Sequence, residues 1–427
     1  MTSPPSSRRL PRLLATALGL TLLAACGSGG AASDQVTEIS VLSAFTRAMP
    51  EGEPFYAAVD EFTRRTGIEV RVVEGAEDVP DLYETSVLAG QEPDVVITNL
   101  VEKSTGWVGE GVALPVDQYL DEWGLRDRVR PEAVDEWRNA DGQVQGFPFS
   151  AFTWPFWYNT ALLAKAGVAA PPATVDELID AATKLRAAGI GPLVVGGSDW
   201  SGQKLFMQIA QQFLPADAAR KRFAEGDFCA DPAVMRGIEL FVRLRDAGVF
   251  VDDVQGYTGD MMNSAYYNGD AAIMSTGSWA FTETPPALAA TTTLSGLPVP
   301  AGGTYGRPTA MQGATGTGIF LSPKAKSKLD AVRKFVEVMY DPATVATFVD
   351  KAGTLPALAT DGKLTGSPLL QQAVGELPGR VDYTVMPDTA VPPDKADALI
   401  RATAVAYAPG VDARTACGEI DAAYGGN

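Results

Sequence analysis

Histidine is absent from all 427 residues of the chain. Its absence excludes Ser-His-Asp and Cys-His nucleophilic catalysis and every histidine-ligated zinc site. Basic charge is also short. Lys and Arg number 34 against 52 Asp and Glu, a net charge of −18, which repels nucleic acid and leaves no basic stripe for a phosphate backbone. No P-loop GxxxxGK[ST], no complete GxGxxG and no EF-hand loop occurs, so neither a cofactor nor a metal is expected. Beyond the N-terminal apolar run there is no second stretch long enough to span a bilayer. Catalysis by carboxylates alone, as in glycoside hydrolases, survives these exclusions.

Cysteine is scarce, with only three residues, and the first stands in a telling place. Arg8, Arg9 and Arg12 precede an apolar run over 13–25, and Ala24 and Ala25 lead directly into Cys26. A basic start, a short apolar stretch and small residues make a secretory signal. Small residues before a cysteine resemble the lipobox of bacterial lipoproteins. The expectation is cleavage after residue 25, lipidation of Cys26 and a Gly/Ser-rich tether over 26–35. The product would sit outside the cytoplasm, held to the outer face of the cell membrane by lipid alone. Cys229 and Cys417 then remain, an even number in an oxidising compartment, and are expected to pair.

A chain of this length exceeds one simple core and suits two lobes. "EISVLSAF" (38–45), "IEVRVVEG" and "PDVVIT" read as strands separated by helices, the first of which carries Phe55, Val59 and Phe62 on one face and ends at Gly67. Thr174 and Glu177 form a capping box ahead of the stripe Leu178, Ala181, Ala182 and Leu185. Asp231-Pro232 opens another helix, Ser327 is placed to cap one, and Pro342 starts one ending near Gly353. Strand–helix alternation predicts an α/β fold with parallel strands covered by helices.

Three stretches gather aromatic rings in polar or proline-broken company: "FPFSAFTWPFWYN" (147–159), "GGSDWSG" (196–202) and "STGSWAF" (275–281). A Trp on a polar loop exposes a large flat apolar face, which matches the C–H face of a sugar ring. Carboxylates, amides and hydroxyls at the rim suit its hydroxyl groups. Trp279, Trp200 and Trp154 are the candidate stacking residues, with Asp199, Asn99, Glu102, Ser150 and Ser278 at the rim. Asp199 could equally cap a helix beginning near Ser201. Trp107, Trp123 and Trp137 read as packing residues.

Four stretches together resemble a known family. They are "PDVV" (93–96), "WYNTALLAKAGVAAPPATVDELIDAATKLRAAGI" (157–190), "YYNGDAAIMSTGSWAF" (266–281) and "GIFLSPKAKSKLDAVRKFVEVMYDPATVATFVDKAGTLPA" (318–357). In order and spacing the chain is similar to the extracellular solute-binding proteins of carbohydrate ABC transporters, the maltose-binding-protein-like group. Val175 replaces the family's usual Trp, and Asp270 its common Lys. The resemblance implies a type II periplasmic-binding-protein fold, with two α/β lobes joined by several crossings around a central cleft. The implied lobes are 36–148 with 312–350, and 149–311 with 351–427. It implies a sugar stacked on Trp279, cleft contacts near Asn99, and a hinge at 149–154 exposing Ser150, Phe152 or Trp154. Phe152 stands where maltose-binding relatives carry an acid, which argues against a maltose-type ligand. Phe45, Tyr257 and Arg307 complete the candidate contacts. The implied partners are a carbohydrate, membrane permease subunits and a separate ATPase, with the receptor itself a monomer and not an enzyme. Arg47 and Arg307 leave open a receptor for glycerol 3-phosphate, and the acidic residues leave open a lipid-anchored glycoside hydrolase.

Overall fold

The computed structural model describes residues 36–99, 101–139, 141–359 and 364–425, without the side chains at 101, 102 and 389. Cys26, the signal and the tether lie outside the described residues, as does the side chain of Glu102. Eleven strands are present among them: β1 Glu38–Ser43, β2 Glu69–Glu74, β3 Val95–Thr98, β4 Phe147–Trp154, β5 Phe156–Asn159, β6 Gly191–Val194, β7 Ala271–Ser275, β8 Thr292–Ser295, β9 Thr309–Leu321, β10 Leu355–Pro356 and β11 Asp382–Thr384.

The strands form two sheets. The larger runs β10-β4-β9-β3-β1-β2, with β11 also on β9, and the smaller runs β6-β7-β5-β8. β1 lies between β2 and β3, parallel to both, and five of its six residues are buried, as expected where helices cover both faces of a sheet. The expectation of parallel strands fails around β9, which pairs antiparallel with β3 and β4. It enters directly from β8 of the smaller sheet rather than over a helical crossover, and strand–helix counting cannot see that.

Local chemistry accounts for most helices. Helix Gly52–Thr66 buries Phe55, Val59 and Phe62, and Gly67 stops it at φ 71°, a left-handed conformation that costs glycine little. Helix Val175–Ala187 starts in a complete Thr174–Glu177 capping box and buries the expected stripe. Thr174→Ala should lower stability by about 1 kcal/mol, the usual worth of a capped N-terminus, read as a denaturant midpoint. An unchanged midpoint would mean that tertiary packing alone holds this end. Ser327 is not a cap. It lies inside the turn Pro323–Lys328, and its hydroxyl donates backwards to the Lys324 carbonyl.

Each sheet carries its own core. Ile39, Phe62, Trp107, Trp137 and Phe335 belong to one, and Trp157, Leu193, Phe241, Tyr266 and Ile420 to the other. A third, small cluster of Trp154, Met311 and Met386 has Phe152, Trp200 and Trp279 packed against it. The chain passes between the sheets at Pro155, which separates β4 from β5 and cannot donate to either ladder. It passes again over 296–308 and once more after β10. Cys229 and Cys417 are joined by a disulfide that ties helix Ala413–Ala423 to the segment before helix Pro232–Asp246. No helix among the described residues is long and apolar enough to cross a membrane.

Candidate functional site

The floor of the site is aromatic because three remote segments converge there. Trp154 ends β4, Trp200 opens helix Trp200–Ala210, and Trp279 lies in the short turn Ser278–Phe281. Their ring centroids are 5.3 Å apart for Trp154 and Trp279, 5.6 Å for Trp154 and Trp200, and 5.8 Å for Trp200 and Trp279. Phe152 adds a fourth ring 5.9 Å from Trp279. Trp154 is fully buried and donates its indole N–H to Ser275 Oγ at 2.9 Å. Its polar edge is thereby satisfied inside the protein.

Glycine makes this packing possible. A Cβ on Gly277 would fall 2.1 Å from the Trp279 ring, and one on Gly313 2.3 Å from the Phe152 ring. The "TGSW" segment therefore places Trp279 by letting its ring fold back over a bare backbone.

These rings line a cavity of about 290 Å³, together with Asn99, Ser150 and Ser278. Asn99 Oδ1 accepts from Thr317 Oγ1 at 2.7 Å. Ser278 Oγ accepts the Thr153 N–H at 3.3 Å, joining the Trp279 turn to β4. Seven of the residues expected from sequence are thus brought together: Asn99, Ser150, Phe152, Trp154, Trp200, Ser278 and Trp279.

Four are not. Asp199 caps helix Trp200–Ala210, accepting from Ser201 N and Oγ, while its other oxygen takes the Gly259 N–H. The capping alternative is the one adopted. Phe45 is 2% exposed and packs among Phe55, Phe149 and Phe348 in the first core. Tyr257 does not line the cavity, and its carbonyl accepts from Ser198. Arg307 is turned to the surface, where it binds Asp382 and the carbonyls of Pro378 and Gly379. Arg47 stacks its guanidinium 3.5 Å from the Tyr56 ring centre.

Sequence reading missed the charged part of the wall. Glu51, Glu77 and Glu283 line the cavity. Burial pushes Glu51 up to about 6, with the Glu283 carboxylate adding to it. Glu77 and Glu283 are also raised, by burial first and by Asp260 second. Lys204 and Asp388 line the floor and form a buried ion pair. Lys204 follows Trp200 by one helical turn, a spacing that could have flagged it. Asp388 lies in the short turn Pro387–Thr389, and nothing local marks it.

Behind the site, β4 and β9 lose register, so that Phe152 faces Gly313 but Ser150 faces Thr317. The Thr315 N–H in this irregular stretch is taken by Glu136 Oε2 at 2.8 Å. Burial raises the Glu136 carboxyl from its ordinary 4.5 to about 7. The folded state therefore keeps a proton that the unfolded chain releases. This contribution to stability is complete below pH 4.5 and is lost as pH rises through about 7. Glu136→Gln should gain thermal stability relative to the parent as pH climbs through that window. A difference independent of pH would contradict it.

Residues 48–346 match the family model described as bacterial extracellular solute-binding protein. A crystal structure of a probable secreted solute-binding lipoprotein from Streptomyces coelicolor superposes with a TM-score of 0.81 at 40% identity, over 92% of this chain and all of that one (100%). A probable sugar-binding periplasmic protein of Brucella suis is 26% identical over 212 residues, 48% of each chain. The sn-glycerol-3-phosphate-binding periplasmic protein UgpB of Salmonella paratyphi A is 26% identical over 52% of this chain and 51% of its own. The chain thus matches about half the length of these curated relatives.

Proposed function

The chain belongs to the bacterial extracellular solute-binding proteins and has their type II periplasmic-binding fold, and we propose that it captures a sugar or oligosaccharide in its cleft for an ABC importer. One observation carries the reading. Three indole rings within 6 Å of one another face a cavity whose polar groups are hydroxyls, an amide, carboxylates and the Lys204 ammonium. Flat rings suit the C–H faces of a pyranose, and a ring of acceptors suits its hydroxyls. No catalytic step is assigned to the site.

Binding would favour closure by the difference in affinity between closed and open forms. The hinge would lie where the chain passes between the sheets, at Pro155, over 296–308 and after Pro356. Cys26, lipidated after cleavage, would hold the monomeric receptor at the outer face of the membrane, and 26–35 would let it reach the permease. Cys26→Ser should release the protein from the membrane fraction.

The relative that binds glycerol 3-phosphate supports a second reading. Its difficulty is electrostatic. Of the charged side chains lining the cavity, Glu51, Glu77, Glu283 and Asp388 outnumber Lys204, so a phosphate would enter a negative cleft. Calorimetric titration of the chain beginning after Cys26 with mono- and oligosaccharides, glycerol 3-phosphate and short peptides decides between them. Tight saccharide binding without hydrolysis supports the first reading, and tight binding of glycerol 3-phosphate alone supports the second.

A further inference from the structure

Lys204 and Asp388 are the most deeply buried charges at the cavity, 5% and 8% exposed. Their side chains form an ion pair at the aromatic floor, beside Trp200 and Met386. A pair taken out of water gains little for the fold, because desolvating two ions offsets most of their attraction, and apolar residues of similar size hold such a place as well. An ion pair at a ligand surface has another use. Its donors and acceptors are charged and fixed in direction, and they bind hydroxyl groups more strongly than neutral partners do. Its net charge is zero, so it offers nothing in particular to an anion.

Two features aim the pair at the ligand. Lys204 lies one turn along the helix from Trp200, so one helix face presents both an apolar ring and a polar group to the cavity. Asp388 lies two residues beyond Met386, which packs with Trp154 in the floor.

We propose that Lys204 and Asp388 are a specificity-determining pair that reads the hydroxyls of an uncharged sugar ring stacked on Trp200 and Trp279. This rests on the sugar-receptor reading above. The pair would select for hydroxyl pattern, while the rings supply contact with any flat face.

The test titrates maltose, cellobiose, xylobiose and N,N′-diacetylchitobiose into the wild-type protein, Asp388→Asn and the double variant Lys204→Met/Asp388→Leu, recording thermal midpoints alongside. The disaccharide that the wild type binds should lose tenfold or more in affinity in both variants, with the thermal midpoint of the charge-free double variant little changed and that of Asp388→Asn lowered by the uncompensated Lys204 charge. Asp388→Asn preserves shape and remains decisive if the double variant fails to fold. Unchanged affinity in Asp388→Asn would overturn the proposal, as would a loss of affinity in the double variant matched by a large fall in its thermal midpoint, the mark of a structural clamp. In either case the wild type still binds sugar, and the receptor reading stands. A wild type that binds none of the disaccharides, nor any other saccharide, overturns the receptor reading and this pair's role with it.

Discussion

Trp279→Ala should weaken saccharide binding by about 2–4 kcal/mol, a rise in Kd of roughly 30- to 700-fold. The size follows from position. Trp279 is half-buried and touches Trp154, Trp200 and Phe152 together, so truncation removes one stacking face and loosens two others. The other rings make poorer probes. Trp154 is fully buried and bonded to Ser275, so its loss would damage the fold and confuse the reading. Trp200 sits at the first turn of its helix, beside the Asp199 cap. Calorimetry on Trp279→Ala, with a thermal midpoint to confirm folding, isolates the ring's role. An unchanged Kd in a folded variant would remove Trp279 from the site.

The parts of this protein legible in its sequence are those whose cause is local. A capping box, a glycine stop and an apolar stripe each act within a few residues, and helices Gly52–Thr66 and Val175–Ala187 follow from them. The Trp279 turn belongs to the same class, since Gly277 and the ring it accommodates are two positions apart. Where causes lie far apart in the chain, the reading fails. Arg307 looked available to a ligand because its partner Asp382 is 75 residues away. Phe45 follows a strand toward the cleft, but Phe55, Phe149 and Phe348 draw it into the core. The Lys204–Asp388 pair spans 184 residues, and only the fold joins it. Antiparallel β9 is a similar case, because its partners are chosen by a crossing rather than by its own pattern.

The disulfide spans a comparable distance, and its removal should be the largest change in stability. Cys229 and Cys417 are 188 residues apart, and closing so long a loop restricts the unfolded chain by about 5 kcal/mol in the chain-entropy view, toward the top of the usual range of about 2–5 kcal/mol. The folded state should lose much less. Cys417 is fully buried among the side chains of its own helix and the second core, where alanine fits with only a small void. Asp421 accepts the N–H groups of Phe228 at 2.6 Å and Cys229 at 3.1 Å, so the two segments remain joined without the sulfurs. Cys229→Ala/Cys417→Ala should therefore lower the free energy of unfolding by several kcal/mol, with a steeper denaturant dependence because a freer unfolded chain exposes more surface. Ligand affinity should stay as it was, because the bridge lies outside the residues that line the cavity. Loss of affinity in the folded variant would show that the bridge shapes the site itself. An unchanged unfolding free energy would show that Asp421 and the second core hold the C-terminal helix unaided.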